Sequence, residues 1–265
     1  MIKVIVDGAC GRMGRMLTSL VTRQPDMELI GATEYLAHPQ IGADVGEVAG
    51  IGPLGIKIVE DLENIINQGD VVIEFTSPEA TVSNLKKVVD AKKSMVIGTT
   101  GCTADQLAEI RLLAEYIPCL MSPNMSVGVN VMLKAIDLVA KALGDEYDVE
   151  VVEAHHNQKT DSPSGTAVRI ADVLATALDR DINQVGVYGR EGIVGARPEK
   201  EIGVHAIRGG DIVGDHTVLF AGIGERVEIS HRAQSRESFA SGAIRATRWI
   251  INAPKGLHDI SEVLF

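Results

Sequence analysis

The sequence predicts an α/β protein in which a parallel, doubly wound sheet is followed by a mixed α+β sheet. Three observations carry that prediction. Strand-like and helix-periodic segments alternate through the first half, and a glycine-spaced turn joins the first strand to the first helix. The second half changes to alternating strands separated by glycine turns.

Residues 2–6 form a short β-rich run. From Gly11 onward, Met13, Met16, Leu17, Leu20 and Val21 fall at i, i+3, i+4, i+7 and i+8, the stripe of a helix packed on one face. Residues 27–33 read as a second strand. Residues 70–76 read as a third, whose unbroken apolar stretch suits burial on both faces. Pro78 opens a helix with Val82, Leu85, Val88 and Val89 on one side. A strand over 94–98, a helix over 104–114 and a strand over 117–121 complete the βαβ alternation. An apolar helix over 127–143 leads into residues 147–153, where apolar and acidic residues alternate with the period of a half-exposed strand. Next come a helix over 165–178 and strands over 202–208, 216–221 and 226–231. The turns Gly209-Gly210-Asp211 and Gly222-Ile223-Gly224 predict that these strands form antiparallel hairpins. A helix over 237–251 carries Phe239, Ile244 and Ile251 before Pro254-Lys255-Gly256.

Composition narrows the function. The 265 residues carry a formal net charge of −11, most of it in the first 150 residues, and only 3% are aromatic. An acidic chain poor in aromatic rings lacks the basic patches and stacking platforms that nucleic acids or anionic membranes require. No apolar run approaches the roughly 20 residues of a membrane span. With no leader-like pattern in the first ten residues, the expected location is the cytoplasm. Cys10, Cys102 and Cys119 share no CxxC spacing, so no disulfide framework and no metal site is expected.

The segment Val6-Asp7-Gly8-Ala9-Cys10-Gly11-Arg12-Met13-Gly14 lies between the first strand and the first helix. A dinucleotide pyrophosphate docks on a helix N-terminus, where free N–H groups favour anions and glycines let the backbone approach. Glu34, twenty residues after Gly14, ends the second strand and can accept hydrogen bonds from an adenosine ribose diol. Gly98-Thr99-Thr100-Gly101 and Ser122-Pro123-Asn124-Met125 follow later strands, where ligands of open α/β sheets collect.

The densest polar stretch runs from Glu153 to Ala167 and contains His155, His156, Lys159, Ser164, Gly165 and Thr166. It leaves a strand and enters a helix, so Gly165 and Thr166 offer a second anion site, with proton-donating side chains beside it. That combination suits a small carboxylate substrate that must be protonated. Metal ligation by the adjacent histidines lacks HExxH spacing or companion ligands, and a solvated loop capped by Ser164 is the plainer alternative.

With these segments in view, the whole chain resembles the dihydrodipicolinate reductase (4-hydroxy-tetrahydrodipicolinate reductase) family. The resemblance rests on residues 6–14, 98–101 and 122–126 and above all on the ExHHxxKxDxPSGTA pattern of 153–167. Ser230-His231-Arg232-Ala233 and Arg236, Phe239, Ala240, Gly242 and Ala243 add to it. It implies a Rossmann-like dinucleotide-binding domain, residues 1–126 with 236–265, and a mixed α+β substrate-binding and tetramerisation domain, residues 127–235. It also implies that NADH or NADPH delivers hydride to C4 of a cyclic dicarboxylate as water is lost, giving tetrahydrodipicolinate on the diaminopimelate route to lysine. By position, His155 is implied as proton donor and acceptor, Lys159 as proton donor, and His156, Gly165 and Thr166 as substrate contacts. Gly8, Ala9, Cys10, Gly11, Arg12, Met13, Glu34, Gly98, Thr99, Thr100, Ser122, Pro123, Asn124 and Met125 are implied as cofactor contacts, and a homotetramer as the assembly.

One departure bears on the cofactor. Many family members place a basic residue after the acid, and here it is Tyr35. A tyrosine offers adenine a stacking face but no charge, and Glu34 repels a 2′-phosphate, so NADH is expected to be favoured or equal, with Arg12 able to compensate. Two rival readings are a sugar or polyol dehydrogenase, which lacks its Glu-Lys-Pro segment here, and a non-catalytic NAD(H) sensor, which lacks a DNA-reading module.

Overall fold

The structure is a computed structural model that describes residues 1–265. From the amino terminus the elements are β1 (Ile2–Asp7), α1 (Arg12–Val21), β2 (Met27–Thr33), α2 (Val45–Ala49), β3 (Ile58–Val59), β4 (Val71–Glu74), α3 (Pro78–Asp90), β5 (Ser94–Ile97), α4 (Ala104–Ala114) and β6 (Pro118–Met121). There follow α5 (Val127–Leu143), β7 (Asp148–His155), α6 (Gly165–Ala177), α7 (Ile182–Val185), β8 (Gly186–Tyr188), β9 (Ile202–Arg208), β10 (Gly214–Ala221) and β11 (Arg226–Ala233). The chain ends with α8 (Glu237–Ile250), β12 (Gly256–His258) and α9 (Ile260–Leu264). Two compact units result: Met1–Val127 with Glu237–Phe265, and Gly128–Arg236.

The first unit is built on a parallel sheet of order β12-β6-β5-β4-β1-β2-β3. The chain winds outward from β1 in one direction through β2 and from β4 in the other. The switch point between β1 and β4 therefore opens a crevice at their carboxyl ends. Side chains alternate between two cores. Val4, Val6 and Ile73 pack against Leu17 and Val21 of α1 and Ala243 and Ile244 of α8. Ile5, Val72 and Met95 pack against Leu85 and Val88 of α3 and Ile110 of α4. Both faces being covered explains why β4 and β5 are buried at every residue and why β4 reads as an apolar run. Each such aliphatic side chain contributes about 1.5–3 kcal/mol on burial. Helix starts are set locally. Ser77 caps α3 ahead of Pro78, and Thr103 with Gln106 forms a capping box on α4. The buried face of α8 sets the small residues Ala240, Gly242, Ala243 and Ala246 beside Ile244, Thr247 and Ile250, whereas Phe239 is only half-buried and Ile251 falls just past the helix end. Edge strands β3 and β12, of two and three residues, are too short to leave a periodic trace in sequence.

The second unit carries a five-stranded sheet of order β11-β10-β7-β9-β8. Residues of β7 alternate strictly, with Val149 and Val151 packed against Met132 and Ile136 of α5 and Ile170 and Leu174 of α6. The hairpin expected at Gly222-Ile223-Gly224 forms, pairing β10 with β11 antiparallel. The hairpin expected at Gly209-Gly210 does not. Strand β7 lies between β9 and β10, parallel to the former and antiparallel to the latter. Gly209 instead donates its N–H to His155 O (2.9 Å), and Asn157 donates to Gly210 O (3.2 Å). A glycine turn specifies a reversal, but strand pairing is decided by which neighbour buries the shared apolar face. No helix is long and apolar enough to cross a membrane.

Candidate functional site

Two polar clusters stand out, one in each unit. In the first, the turn from β1 to α1 is shaped by close backbone approach. Gly8 has φ +79°, and a Cβ there would lie 2.4 Å from Phe75 O. A Cβ on Gly14 would lie 2.1 Å from Gly8 O. Only glycine fits either position, and the two together seat α1 against the end of β1. Gly11 is the N-cap and supplies no side-chain cap, so the first-turn N–H groups from Arg12 onward are left for an incoming anion. Glu34 binds directly to this loop. Its Oε2 accepts from Cys10 N–H (2.9 Å) and its Oε1 from Tyr35 N–H (3.1 Å). Arg15 Nε donates to Cys10 O (2.9 Å) and braces the same turn. Burial, then the nearby Glu34 charge, pushes the Cys10 thiol up to about 11, so it is neutral. Cys10, Glu34 and His38 place ligand-type atoms within 4.8 Å of one another at this end of the loop.

The later loops are fastened to the same strand ends. Gly98 N–H donates to Glu74 O (2.8 Å), and a Cβ there would lie 2.1 Å from the Phe75 ring. The Thr99 hydroxyl donates to Glu74 Oε1 (2.7 Å) and accepts from Thr76 N–H (2.8 Å). In the 122–125 loop, Ser122 Oγ donates to Asn124 O (3.1 Å), and Ser126 N–H donates to Asn124 Oδ1 (2.9 Å). Met125 is buried, and a Cβ on Gly242 would lie 1.7 Å from its carbonyl oxygen. The small face of α8 thus fixes this loop, a role the sequence reading did not give Gly242. These glycine-shaped turns and the uncapped helix start form a cradle of the kind a dinucleotide occupies.

In the second unit, the carboxyl end of β7 delivers Glu153 and His155 inward while Ala154 faces the other way, as strand alternation requires. Glu153 is fully buried and is the hub. Its Oε2 lies 2.6 Å from His155 Nδ1, its Oε1 accepts from Ser164 N–H (2.9 Å), and both oxygens accept from Arg208 at 2.8 Å. Burial drives the Glu153 carboxyl up, but hydrogen bonds from Arg208, His155 and Ser164 outweigh it and hold it below the ordinary value. An ionised Glu153 can only accept, so His155 Nδ1 carries a proton and Nε2 is the nitrogen left for chemistry. That atom sits close to the backbone of Gly214, where a Cβ would approach it to 3.0 Å.

Arg208 also donates to Asp161 O (2.7 Å) and so ties the polar loop to β9. Lys159 Nζ is paired with the Asp161 carboxylate at 2.8 and 2.9 Å, which lowers the Asp161 pKa. Ser164 caps α6 through Ala167 N–H (3.2 Å), and its Oγ lies 3.1 Å from Nε2 of buried His216. Burial, then the nearby His155 charge, drives His216 down to about 4, so it is neutral beside the cap. Gly165 is exposed and Thr166 half-buried at the start of α6. His155, His156, Lys159, Gly165 and Thr166 therefore all belong to one loop braced by Glu153 and Arg208. Neither brace is among the site residues that the sequence points to. Glu153 was visible in the motif, but Arg208 lies in a separate strand with no local signature.

Comparison with known proteins supplies the context. Residues 2–125 match the family model described as dihydrodipicolinate reductase, N-terminus, and residues 128–264 match dihydrodipicolinate reductase, C-terminus. The 4-hydroxy-tetrahydrodipicolinate reductase of Trichlorobacter lovleyi is 52% identical over 265 residues, covering 100% of this chain and 99% of that protein. That of Syntrophus aciditrophicus is 49% identical over 264 residues, covering 100% and 98%. Among solved structures, a dipicolinate-bound dihydrodipicolinate reductase from Paenisporosarcina sp. TG-14 superposes with a TM-score of 0.79 at 28% identity. That match covers 98% of this chain and 97% of the other.

Proposed function

The chain belongs to the dihydrodipicolinate reductase family, and we propose that its two polar clusters divide the family's reaction between them. The enzyme is an oxidoreductase that reduces 4-hydroxy-tetrahydrodipicolinate to tetrahydrodipicolinate in lysine biosynthesis, using a pyridine nucleotide. Substrate, NAD(P)H and one proton give product, NAD(P)⁺ and water. The nucleotide, when bound, supplies the hydride.

In this reading the first unit, with Gly8, Ala9, Cys10, Gly11, Arg12 and Met13, takes the pyrophosphate on the first turn of α1. Glu34 takes the adenosine ribose, and residues 98–100 and 122–125 line the nicotinamide half. The second unit holds the substrate. One carboxylate sits on the N–H groups of Gly165 and Thr166, with the α6 dipole behind them and His156 alongside. His155 Nε2 exchanges the proton, and Lys159, released from Asp161 by a substrate carboxylate, donates a second hydrogen bond or proton. The single observation behind this assignment is the Glu153 hub. One buried carboxylate fixes the His155 tautomer, the loop's return through Ser164 and the Arg208 brace together. A histidine that merely filled the core would need no such anion.

NADH is the favoured or equal cofactor in this reading. Glu34 offers an acidic side chain to the ribose rather than a cation to a 2′-phosphate, and Tyr35 is 65% exposed and brings no cation. The test is kcat/KM for NADH and NADPH with freshly generated substrate. Comparable values or a preference for NADH are expected, and a strong preference for NADPH would overturn the assignment. The five-stranded sheet is covered by α5 and α6 on one face and leaves Ile207 of β9 exposed on the other, which supports assembly through this unit. The expected assembly is a homotetramer acting in the cytoplasm, the former checked by light scattering on the purified protein.

A further inference from the structure

Glu74 is a fully buried acid that the reaction does not use. It ends β4 and lies in register with Asp7 at the end of β1. Its two oxygens are treated very differently. Oε1 is approached by Thr76 N–H (2.9 Å), the Thr76 hydroxyl, the Thr99 hydroxyl (2.7 Å) and the Thr81 hydroxyl (3.0 Å). Oε2 is equally buried and has no partner. Asp7 is already served by the Thr33 hydroxyl (2.6 Å) and Asn84 Nδ2 (2.7 Å). The titratable groups around the pair are Asp7 on β1, Cys119 on β6, Cys102 after β5, Glu79 on α3 and Glu34 after β2. All are acids or thiols. An ionised Oε2 would be a bare charge beside a second carboxylate with no cation to answer it. A protonated Oε2 leaves one hydroxyl short of a partner, a much smaller penalty.

We propose that Glu74 serves as a neutral carboxylic acid and acts as a positioning residue, clamping the loops after β4 and β5 in the shape the nucleotide requires. Its carbonyl oxygen Oε1 draws in Thr76, Thr81 and Thr99, which belong to three separate segments, and the proton resides on Oε2. The inference rests on the reading of residues 98–100 as part of the nucleotide site. Burial, offset in part by the threonine hydrogen bonds and reinforced by Asp7, pushes the Glu74 carboxyl up to about 7, in keeping with this geometry. Deprotonation in mild alkali would strip the clamp of its neutral form.

The protein is tested as wild type, Glu74→Gln and Glu74→Ala, measuring the Kd for NADH from about pH 6 to about pH 9. Amide hydrogen exchange at Thr76 and Thr99–Gly101 is followed without nucleotide. Gln has an acceptor and a donor where the neutral acid has them, so Glu74→Gln is expected to match the wild-type Kd at low pH and to show no rise. Wild-type Kd is expected to rise roughly tenfold per pH unit once pH exceeds the carboxyl pKa, as the competent fraction falls. Glu74→Ala is expected to bind weakly at every pH, with kcat at saturating NADH nearly unchanged. The proposal is overturned if Glu74→Gln binds as poorly as Glu74→Ala, which would make the anion the required form. It is equally overturned if Glu74→Gln keeps the wild-type pH dependence. Should amide protection fall in Glu74→Ala while its Kd stays put, the clamp stands and the nucleotide assignment of 98–100 fails. Unchanged protection would sink the clamp.

Discussion

Two glutamates of this protein, Glu74 and Glu153, are both fully buried at the carboxyl ends of strands, yet their pKa values move in opposite directions. Glu74 receives threonine hydroxyls and one N–H and faces Asp7, so burial dominates. Glu153 receives a bidentate arginine, a histidine and an N–H, so hydrogen bonding and charge dominate. The difference matches the task of each region. The first unit shapes a cradle for a dinucleotide largely out of backbone N–H groups and glycine-shaped turns. The second holds a carboxylate against a histidine, an arrangement that suits the proton exchange proposed for His155. Burial alone does not say what an acid is for. The company of its two oxygens does.

The largest test of this contrast is chemical. His155→Ala and Lys159→Ala are expected to lower kcat by roughly 10²–10⁴, the range for positioned proton donors, with the Kd for NADH unchanged. Glu153→Gln should approach the same loss, because it removes the anion that fixes the His155 tautomer. Steady-state kinetics alongside fluorescence titration of NADH separate the two quantities. Near-normal turnover in Lys159→Ala would break the assignment of that residue. A smaller effect of reversed character is expected from Gly14→Ala. Its new Cβ meets Gly8 O at 2.1 Å, so NADH binding should weaken by more than tenfold and stability should fall by about 1–3 kcal/mol. Substrate-analogue binding should be spared, which calorimetry with dipicolinate would show.

The last effect, on the order of 3 kcal/mol for Glu74, is spread over a pH range and lies in pH-dependent stability. Glu74 sits above the ordinary value of 4.5, so its contribution is whole below pH 4.5 and is lost as pH rises to about 7. Glu153 sits below 4.5, so its contribution is whole above pH 4.5 and is lost as pH falls through its depressed value. Denaturation midpoints should therefore show Glu74→Gln gaining on wild type between pH 4.5 and about 7. Glu153→Gln should trail wild type at neutral pH and close the gap in acid. Parallel curves for the two variants would erase the contrast.

Local signals determined much of this protein from sequence alone. Helix stripes, the continuous apolar run of β4, the Gly8–Gly14 turn and the dense 153–167 motif are short-range patterns, and short-range sterics and capping act on them wherever the chain goes. Tertiary structure decided the rest. It inserted β7 between β9 and β10, brought Arg208 to Glu153 from 55 residues away, and set Gly242 of α8 against Met125. It also moved the pKa values of the two glutamates in opposite directions. Strand order, close approach and the local dielectric depend on which distant groups share a space, and no window of sequence contains both partners.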